Sequence, residues 1–202
     1  MVSGIIMGLD TDKPETGDAL LAFVDESQIP LLTINLLQAL PKTPLWDRLE
    51  REGRLLDDDD DSRDSNVAFL LPYDQVVESW RKCMEVAYQP EKLFARYQYQ
   101  CDYTYPKRIK VPVSPEQKSW VNIRRGLIML KNIFWKVGVL GDYKKVFWKF
   151  ALGRLRHGDI EGLIASSMIG HHLIMFARAA SVGQQNASNY SLRLREASVP
   201  AE

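Results

Sequence analysis

The chain has 202 residues, of which 46% are hydrophobic and 26% are charged, and its formal net charge is zero. This composition is typical of a globular protein with a packed core and excludes an intrinsically disordered chain. The charges are unevenly distributed, because residues 1–103 contain 10 basic and 20 acidic side chains whereas residues 104–178 contain 14 and 4. We therefore expect the basic part to face either the acidic part or an anionic partner.

The cysteine content and the apolar runs bear on the compartment. The sequence has two cysteines, Cys83 and Cys101, and shows no pattern of a secretory signal, so we expect free thiols in a reducing cytoplasm. The longest apolar stretch, Ile160–Ala177, is interrupted by Glu161 and by the pair His171-His172. On this basis we expect no membrane-spanning helix.

The first 37 residues predict a β-α-β unit. Residues 3–9 and 31–37 are short apolar runs of the kind found in buried parallel strands. Between them, Asp12 and Glu15 have the spacing of a capping box, and an apolar helix face follows up to about Ser27. The crossover should be right-handed and the two strands parallel.

A turn and a short helix follow the second strand. Thr43 is expected to cap a helix that begins at Pro44, and Gly53 stands where a helix end requires a positive φ angle. Because α/β folds bind ligands outside the carboxyl ends of parallel strands, the loop after residue 37 is the first candidate site. Two parallel strands leave unpaired edges, so we expect residues 1–56 to be the end of a larger α/β sheet or barrel.

The remainder of the chain predicts helices. Residues 57–71 begin with five consecutive aspartates and are interpreted as a solvated linker, since the run lacks the ligand spacing and the glycine of a calcium-binding loop. Residues 72–182 form a predicted helical domain, and residues 183–202 a disordered tail. At helical spacing, one apolar face is formed by Val76, Trp80 and Met84 and a second by Leu93, Phe94 and Tyr97. Further along, Ser114 starts a helix, Asp142 caps the next, and Gly158-Asp159 starts the last one. The predicted fold class is thus an α/β remnant, the last two parallel strands of a partial (β/α)6 barrel, followed by a mostly α-helical domain.

Two motifs resemble a known family. Gly4, Ile6 and Gly8 match the Gly-x-Ile-x-Gly pattern of the fifth strand of radical SAM enzymes. The segment from Asn35 to Pro41, followed by Thr43-Pro44-Leu45, is similar to the sixth strand and its exit in cobalamin-binding radical SAM proteins. The similar subgroup carries an uncharacterised helical C-terminal domain and includes hopanoid methyltransferases.

The resemblance implies a barrel whose rim holds a [4Fe–4S] cluster and S-adenosylmethionine, in a family that also binds cobalamin. It implies that the adenine is contacted by residues of the fifth strand and of the sixth-strand exit, which are Gly4, Ile6, Gly8, Leu37, Gln38, Ala39 and Leu40. The Cys-x3-Cys-x2-Cys cluster motif is absent from this sequence, and an iron–sulfur cluster requires thiolates. We therefore expect a C-terminal fragment that is not catalytic by itself and has no catalytic or metal-binding residue. The cofactors are expected in the parent enzyme and not on this chain alone.

Two further features of the helical part have competing interpretations. Lys131–Arg156 interleaves aromatic and basic residues, which suits a helix at an anionic membrane surface or a core helix with a solvated basic face. His171 and His172 are adjacent, so they point about 100° apart on a helix and are not expected to share a metal ion. No nucleic-acid-binding motif accompanies the basic residues.

Three hypotheses follow for the function. The chain is part of a radical SAM enzyme whose parent reaction is methyl transfer or a related radical step on a hydrophobic substrate, so that whether the chain itself is an enzyme stays open. Alternatively, it is a subunit that completes a barrel supplied by another polypeptide, or a non-catalytic helical adaptor for a membrane or protein. We expect the missing N-terminal barrel half as partner in the first two cases, and a cytoplasmic location, peripheral to the inner membrane face.

Overall fold

The computed structural model describes residues 2–56, 64–107 and 119–182. The aspartate run at 57–61, the helix start predicted at Ser114 and the predicted tail 183–202 lie outside these ranges. Within them the chain forms two strands, β1 (Val2–Met7) and β2 (Leu31–Leu36), and seven α-helices. The helices are α1 (Thr16–Ser27), α2 (Pro44–Arg51), α3 (Tyr73–Ala87), α4 (Pro90–Tyr99), α5 (Trp120–Ile133), α6 (Lys144–Arg156) and α7 (Ile160–Ser181).

The two strands pair in parallel, as the β-α-β prediction requires. Val2 pairs with Leu31 and Met7 with Leu36, with α1 as the crossover. The two parallel strands and the helices that follow confirm the predicted fold class of a small strand remnant with a helical domain.

The capping box predicted at the start of α1 is wrong. The Asp12 carboxylate accepts hydrogen bonds from the backbone N–H groups of Gly8 (2.7 Å) and Leu9 (3.1 Å), so it stabilises the turn after β1. The helix begins four residues later, at Thr16. An aspartate side chain can accept from the N–H groups of a helix that follows it or of a turn that precedes it. Here Asp12 accepts from the N–H groups of Gly8 and Leu9, directly after β1.

The short helix after β2 forms as predicted. Thr43 is the N-cap of α2 and accepts a hydrogen bond from Trp46 N at 3.3 Å, with Pro44 in the first position. Gly53 has φ +65°, the left-handed conformation expected after a helix end. A small core of buried side chains lies here, formed by Leu37, Ala39, Leu49 and Val67.

Residues 64–69, part of the predicted linker, bond to and pack against the segment after β2, whereas Leu70 is 66% exposed. Leu55 and Val67 form an antiparallel bridge, and Val67 is completely buried. Phe69 packs against the same core, and Ser65 is 3% exposed. Directly after the charged run, the chain returns to the β2 exit. The sequence did not predict this return, because contacts between residues far apart in sequence leave no local pattern.

Helix α3 packs against both α1 and β2. The predicted apolar face of α3 is buried, including Val76, Trp80 and Met84, and Trp80 Nε1 donates a hydrogen bond to Ile34 O at 2.8 Å. The crossing with α1 is close at Gly17, where a Cβ atom would lie 2.3 Å from Ser79 Oγ. Cys83 Sγ donates to Gly17 O in the same contact.

The helical part is built around an aromatic core. The predicted face of α4 is buried, and the Phe94 ring lies 5.3 Å from that of Phe150 and 6.4 Å from that of Phe147 on α6. Two π-helical turns, Gln100–Thr104 and Phe134–Val139, follow α4 and α5. The N-cap of α6 is Tyr143 and not the predicted Asp142. Helix α7 begins as predicted, with Asp159 Oδ1 accepting from Gly162 N.

The structure divides into two compact units. The first contains residues 2–27, 31–56, 64–87 and 176–182, and the second contains residues 28–30, 88–107 and 119–175. Helix α3 thus belongs to the same unit as the strands. The domain boundaries predicted from the sequence stay a prediction.

Helix α7 contains the longest apolar stretch of the sequence, Ile160–Ala177, and the expectation that it does not span a membrane stays a prediction. Among the described helices, it alone is long and apolar enough to cross a membrane by length and composition. One third of its apolar window is buried inside the protein, as also occurs in core helices. Its buried positions include Ser166, Ser167 and Ile174.

Candidate functional site

The sheet has one covered and one open face. Leu32, Ile34 and Leu36 of β2 point to the covered face and are at most 6% exposed. On the open face the side chains of β1 are solvent-exposed, and Ile6 is 51% exposed. Because side chains alternate along parallel strands in register, Ile6 shares this face with its partner Asn35. The open face therefore carries an apolar side chain that this part of the chain does not cover.

Gly4 lies on this open face. It pairs with Thr33, and a Cβ atom at Gly4 would meet Thr33 Oγ1 at 3.5 Å, an ordinary van der Waals distance. Nothing within the described residues therefore requires a glycine at position 4. The absence of a side chain leaves the backbone of β1 accessible, which is what a planar ligand group packed against the strand would need.

Gly8 has a different reason to be glycine. Its φ angle is +95°, and a Cβ atom would lie 2.5 Å from Cε1 of Phe69. The turn it begins is held by Asp12, and the next residue, Leu9, is 44% exposed. Gly8 thus allows the chain to turn over the Phe69 ring at the carboxyl end of β1, so its demonstrable role is in packing.

The exit of β2 lies beside this turn. Leu37 N donates to Met7 O at 2.8 Å, which continues the parallel pairing beyond the strands. Leu37 and Ala39 are buried, whereas Leu40 is 49% exposed. The structure therefore brings together the two predicted groups of site residues at one edge of the sheet, with Ile6 and Leu40 as their exposed apolar members.

A segment that the sequence reasoning missed holds the β2 exit in place. Asn66 brackets Ala39, since its Oδ1 accepts from Ala39 N and its Nδ2 donates to Ala39 O, both at 2.9 Å. Ser65 Oγ donates to Leu37 O at 2.6 Å. Gln38 Nε2 donates to Asp64 O at 2.6 Å, and Gln38 Oε1 accepts from Asn66 N at 3.4 Å.

These bonds determine what the β2 exit has left for a ligand. Hydrogen bonds within the protein engage the backbone N–H and C=O of Ala39, the backbone carbonyl of Leu37 and the side-chain amide of Gln38. The exposed Leu40 side chain is free to make an apolar contact. The only sequence signal for this arrangement was Ser65-Asn66, a pair of turn-forming residues directly before the buried Val67.

A cluster of charged residues stabilises the same edge. Asp10 accepts from Arg54 Nη2 at 2.7 Å and pairs with Arg48 at 2.9 Å. Arg54 also pairs with Glu52 and donates from Nε to Ala68 O. The hydrogen bond from Arg54, aided by the charges of both arginines, holds the pKa of Asp10 below its ordinary value. This cluster connects the β1 exit, α2 and residue 68, and its charges are satisfied internally.

The edge offers contact surfaces and no reactive group. In the described ranges, no cluster of three or more His, Cys, Asp or Glu residues could hold a metal ion. Cys83 and Cys101 are both buried and belong to different units. Burial raises the pKa of the Cys83 thiol to about 11 and also raises that of Cys101, so neither is a ready thiolate ligand.

The second unit contains buried polar contacts. Arg154 is 2% exposed and pairs with Asp102 and, at 3.7 Å, with Asp159. Burial would raise the pKa of Asp102, but hydrogen bonds from Gln98 and Arg154 outweigh it and keep that pKa below its ordinary value. The Tyr143 hydroxyl lies 2.6 Å from His171 Nδ1. His171 therefore serves a contact between the start of α6 and α7.

The aromatic residues of Lys131–Arg156 divide between core and surface. Phe147 and Phe150 are at most 4% exposed and belong to the aromatic core, and Trp148 Nε1 donates to Gly138 O. Trp135 is 60% exposed. Helix α6 thus fits the interpretation of a core helix with a solvated basic face.

Comparison with known proteins gives the relationships of the chain. Over all 202 residues it is 63% identical to the hopanoid C-2 methylase of Rhodopseudomonas palustris and covers 38% of that protein, its C-terminal part. Over 160 residues, 77% of the chain, it is 30% identical to an uncharacterized methyltransferase of Synechocystis sp., of which it covers 29%. No solved structure gave a significant match.

These relatives confirm the resemblance to the C-terminal part of hopanoid methyltransferase-like proteins. The chain spans well under half the length of both. The candidate site residues stay a prediction. Residues 43–186, most of the chain, match a family described as "Domain of unknown function (DUF4070)", and the chain belongs to this family.

Proposed function

We propose that this chain supplies the last two strands of a partial (β/α)6 barrel and the helical C-terminal domain of a cobalamin-type radical SAM enzyme. The parent reaction would be methyl transfer, or a related radical step, on a hydrophobic substrate, in keeping with the name of the 63%-identical methylase. The observation that carries the proposal is the open face of β1, where Ile6 is half exposed at the carboxyl end of a parallel strand. In a barrel this face points inward.

The residues at this edge fit the adenine of S-adenosylmethionine. Ile6 and Leu40 supply exposed apolar contacts, and Gly4 leaves the strand backbone open to a flat ring. When bound, S-adenosylmethionine would supply the methyl group or the radical. Asn66 would keep the β2 exit in the conformation that presents Leu40, because it holds both backbone groups of Ala39.

The residues of this chain do not fit the [4Fe–4S] cluster of the family. A [4Fe–4S] cluster requires several thiolates close together, and the two cysteines are buried in separate units. We therefore assign the cluster to the N-terminal barrel half, which belongs to the same or to a separate polypeptide, and the cobalamin to the amino-terminal cobalamin domain of the family. The second case corresponds to a subunit that completes a split barrel.

The proposal includes a location. We propose that the protein acts in the cytoplasm, peripheral to the inner membrane face, where the basic helices of the second unit contact anionic lipid. Residues 104–178 carry 14 basic against 4 acidic side chains, which supports such a contact. If the chain is instead a non-catalytic helical adaptor, it would make the same lipid contact but would not bind S-adenosylmethionine.

Split complementation tests the enzymatic part. The chain is co-expressed with the region of the R. palustris methylase that precedes the matching part, and methylated hopanoid is measured by mass spectrometry of the lipid extract. We expect methylation to depend on the chain. Ile6→Glu should lower it by about tenfold or more, since a charge would enter an apolar contact.

The matched control is Phe23→Glu, on α1 of the same unit, where the side chain is 47% exposed and the introduced charge is the same. We expect it to leave methylation within about twofold of the unchanged chain. The proposal would be overturned if the full-length methylase methylates hopanoids and the chain co-expressed with the preceding region never does. Equal activities of the two variants would show that the open face is not a contact surface.

A further inference from the structure

Helix α5 exposes apolar side chains along its whole length. Trp120 is 74% exposed, Leu127 is 58% exposed and Ile123 is 47% exposed, and of the 14 residues of α5 only Ile133 is buried in the part of the chain that the structure describes. At mid-helix, a Cβ atom added to Gly126 would meet nothing within 4 Å. The helix is therefore as apolar as a helix packed in a core, yet most of its apolar side chains are exposed to solvent.

The exposed surface continues into the π-helical turn after α5. One side of this turn is anchored, because Val137 is 2% exposed and Trp148 Nε1 donates to Gly138 O. On the other side Trp135 and Leu140 are 60% and 67% exposed. We call the side chains of Trp120, Ile123, Leu127, Trp135 and Leu140 the α5 apolar surface.

The charged residues within the segment that carries this surface have one sign. Residues 120–141 contain four basic side chains and no aspartate or glutamate. At 100° per residue, Arg124 and Lys131 lie beside Trp120 and Leu127, at the margin of the apolar arc. Long basic side chains in this position can keep their charge in the headgroup layer while the apolar arc is immersed.

The two exposed tryptophans lie at the start of α5 and just after its end. Fifteen residues separate Trp120 from Trp135, which corresponds to about 22 Å along a helix. Tryptophan favours the boundary between headgroups and acyl chains, because its ring is apolar and its N–H donates a hydrogen bond. Two such anchors on one helix axis suit a helix that lies parallel to a bilayer.

We infer that α5 and the following π-helical turn dock the protein on an anionic lipid bilayer, with the α5 apolar surface immersed at the headgroup boundary. The inference rests on the membrane part of the proposed function and names the segment that enters the lipid. A bilayer fits better than a groove on another protein, since exposed apolar residues also occur outside the α5 apolar surface, at Val121 and Ile128, and the charges within residues 120–141 are all positive.

Vesicle flotation tests the inference, because protein aggregates sediment while vesicle-bound protein rises. The full chain is mixed with vesicles of phosphatidylcholine and phosphatidylglycerol, or of phosphatidylcholine alone, at low and high salt. We expect binding to the anionic vesicles and weaker binding as salt rises. Leu127→Glu should weaken partitioning by about tenfold, since it removes apolar burial and adds a repelled charge.

The matched control is Met168→Glu on α7, where the methionine is 51% exposed in the same unit and the introduced charge is identical. It should bind as the unchanged chain does. Ile123→Glu provides a second α5 variant, and circular dichroism checks that each variant keeps its helix content.

Each outcome decides a different point. Loss of binding in both α5 variants with the control unaffected supports the inference. If only Met168→Glu reduces binding, or if no variant reduces it, the inference about α5 is overturned and membrane association by another surface remains. If the unchanged chain floats with no vesicle, both the inference about α5 and the proposed membrane contact are overturned. A lipid-free oligomer that Leu127→Glu converts to a monomer assigns the surface to a second copy instead.

Discussion

At the scale of single residues, the side chains that matter most for the candidate site are polar residues outside the recognised motifs. Asn66 holds both backbone groups of Ala39, and Ser65 holds the carbonyl of Leu37. These bonds join residues 27 and 28 positions apart. They give the β2 exit a single conformation, in which Leu40 is exposed.

Replacing Asn66 by alanine should destabilise the first unit. The substitution removes two hydrogen bonds and leaves Ala39 N and O without these partners, which costs about 1–3 kcal/mol. Urea unfolding followed by circular dichroism measures the difference.

The control for this substitution is Asn132→Ala, at an exposed position of α5. It should change stability by a few tenths of a kcal/mol at most, in the stabilising direction, since alanine is the better helix former. Equal effects of the two substitutions would mean that the two hydrogen bonds between Asn66 and Ala39 make no net contribution to the free energy of unfolding.

At the scale of elements, α1 and α3 approach closely because Gly17 has no side chain. The calculated position of a Cβ atom at Gly17 is 2.3 Å from Ser79 Oγ and 3.4 Å from Cys83 Sγ. The contact places α1 against α3, which in turn donates from Trp80 to the carbonyl of Ile34 in β2. The covering of the sheet thus depends on a small residue at this crossing.

Gly17→Ala should destabilise the protein by about 1–3 kcal/mol, the range found for overpacked cores. If Ser79 Oγ is the cause, the same substitution in a Ser79→Ala background should be neutral or stabilising, because alanine favours a helix by about 1 kcal/mol over glycine. A double-mutant cycle in urea measures this coupling.

Gly126→Ala is the internal reference for that cycle, since nothing lies within 4 Å of a Cβ atom there. We expect it to stabilise α5 by about 1 kcal/mol. A Gly17→Ala cost that Ser79→Ala leaves unchanged would place the clash elsewhere.

At the scale of the whole molecule, the two units each contain one buried thiol. Cys83 lies in the unit with the strands and Cys101 in the helical unit. Each cysteine therefore reports on the opening of its own unit once the other is replaced by alanine.

We predict that both thiols of the native protein react slowly with iodoacetamide at pH 9 and rapidly in urea. The pKa of Cys83 is raised by burial to about 11, from about 9 in the unfolded chain. The thiol therefore contributes stability below pH 9 that is lost as the pH rises towards 11. Mass spectrometry of the alkylated single-cysteine variants measures the rates, and rapid native labelling of the Cys101→Ala variant would contradict burial of Cys83.

Much of this architecture could be predicted from local sequence. Apolar runs of six or seven residues predict β1 and β2, and the spacing of Val76, Trp80 and Met84 predicts the buried face of α3. Thr43-Pro44 predicts the start of α2. Each of these features depends on residues within a turn or a strand of one another, so the pattern is visible in the sequence.

The sequence by itself therefore determined the parallel strand pair, the helices and the relationship to methyltransferase-like proteins. Only the tertiary structure decided that Asp12 caps the turn after β1, that residues 64–67 return to hold the β2 exit, and that the apolar face of α5 faces solvent. These outcomes depend on which distant groups are available as partners. Periodicity predicts that a face is apolar, but the surface that covers it is determined by the rest of the fold.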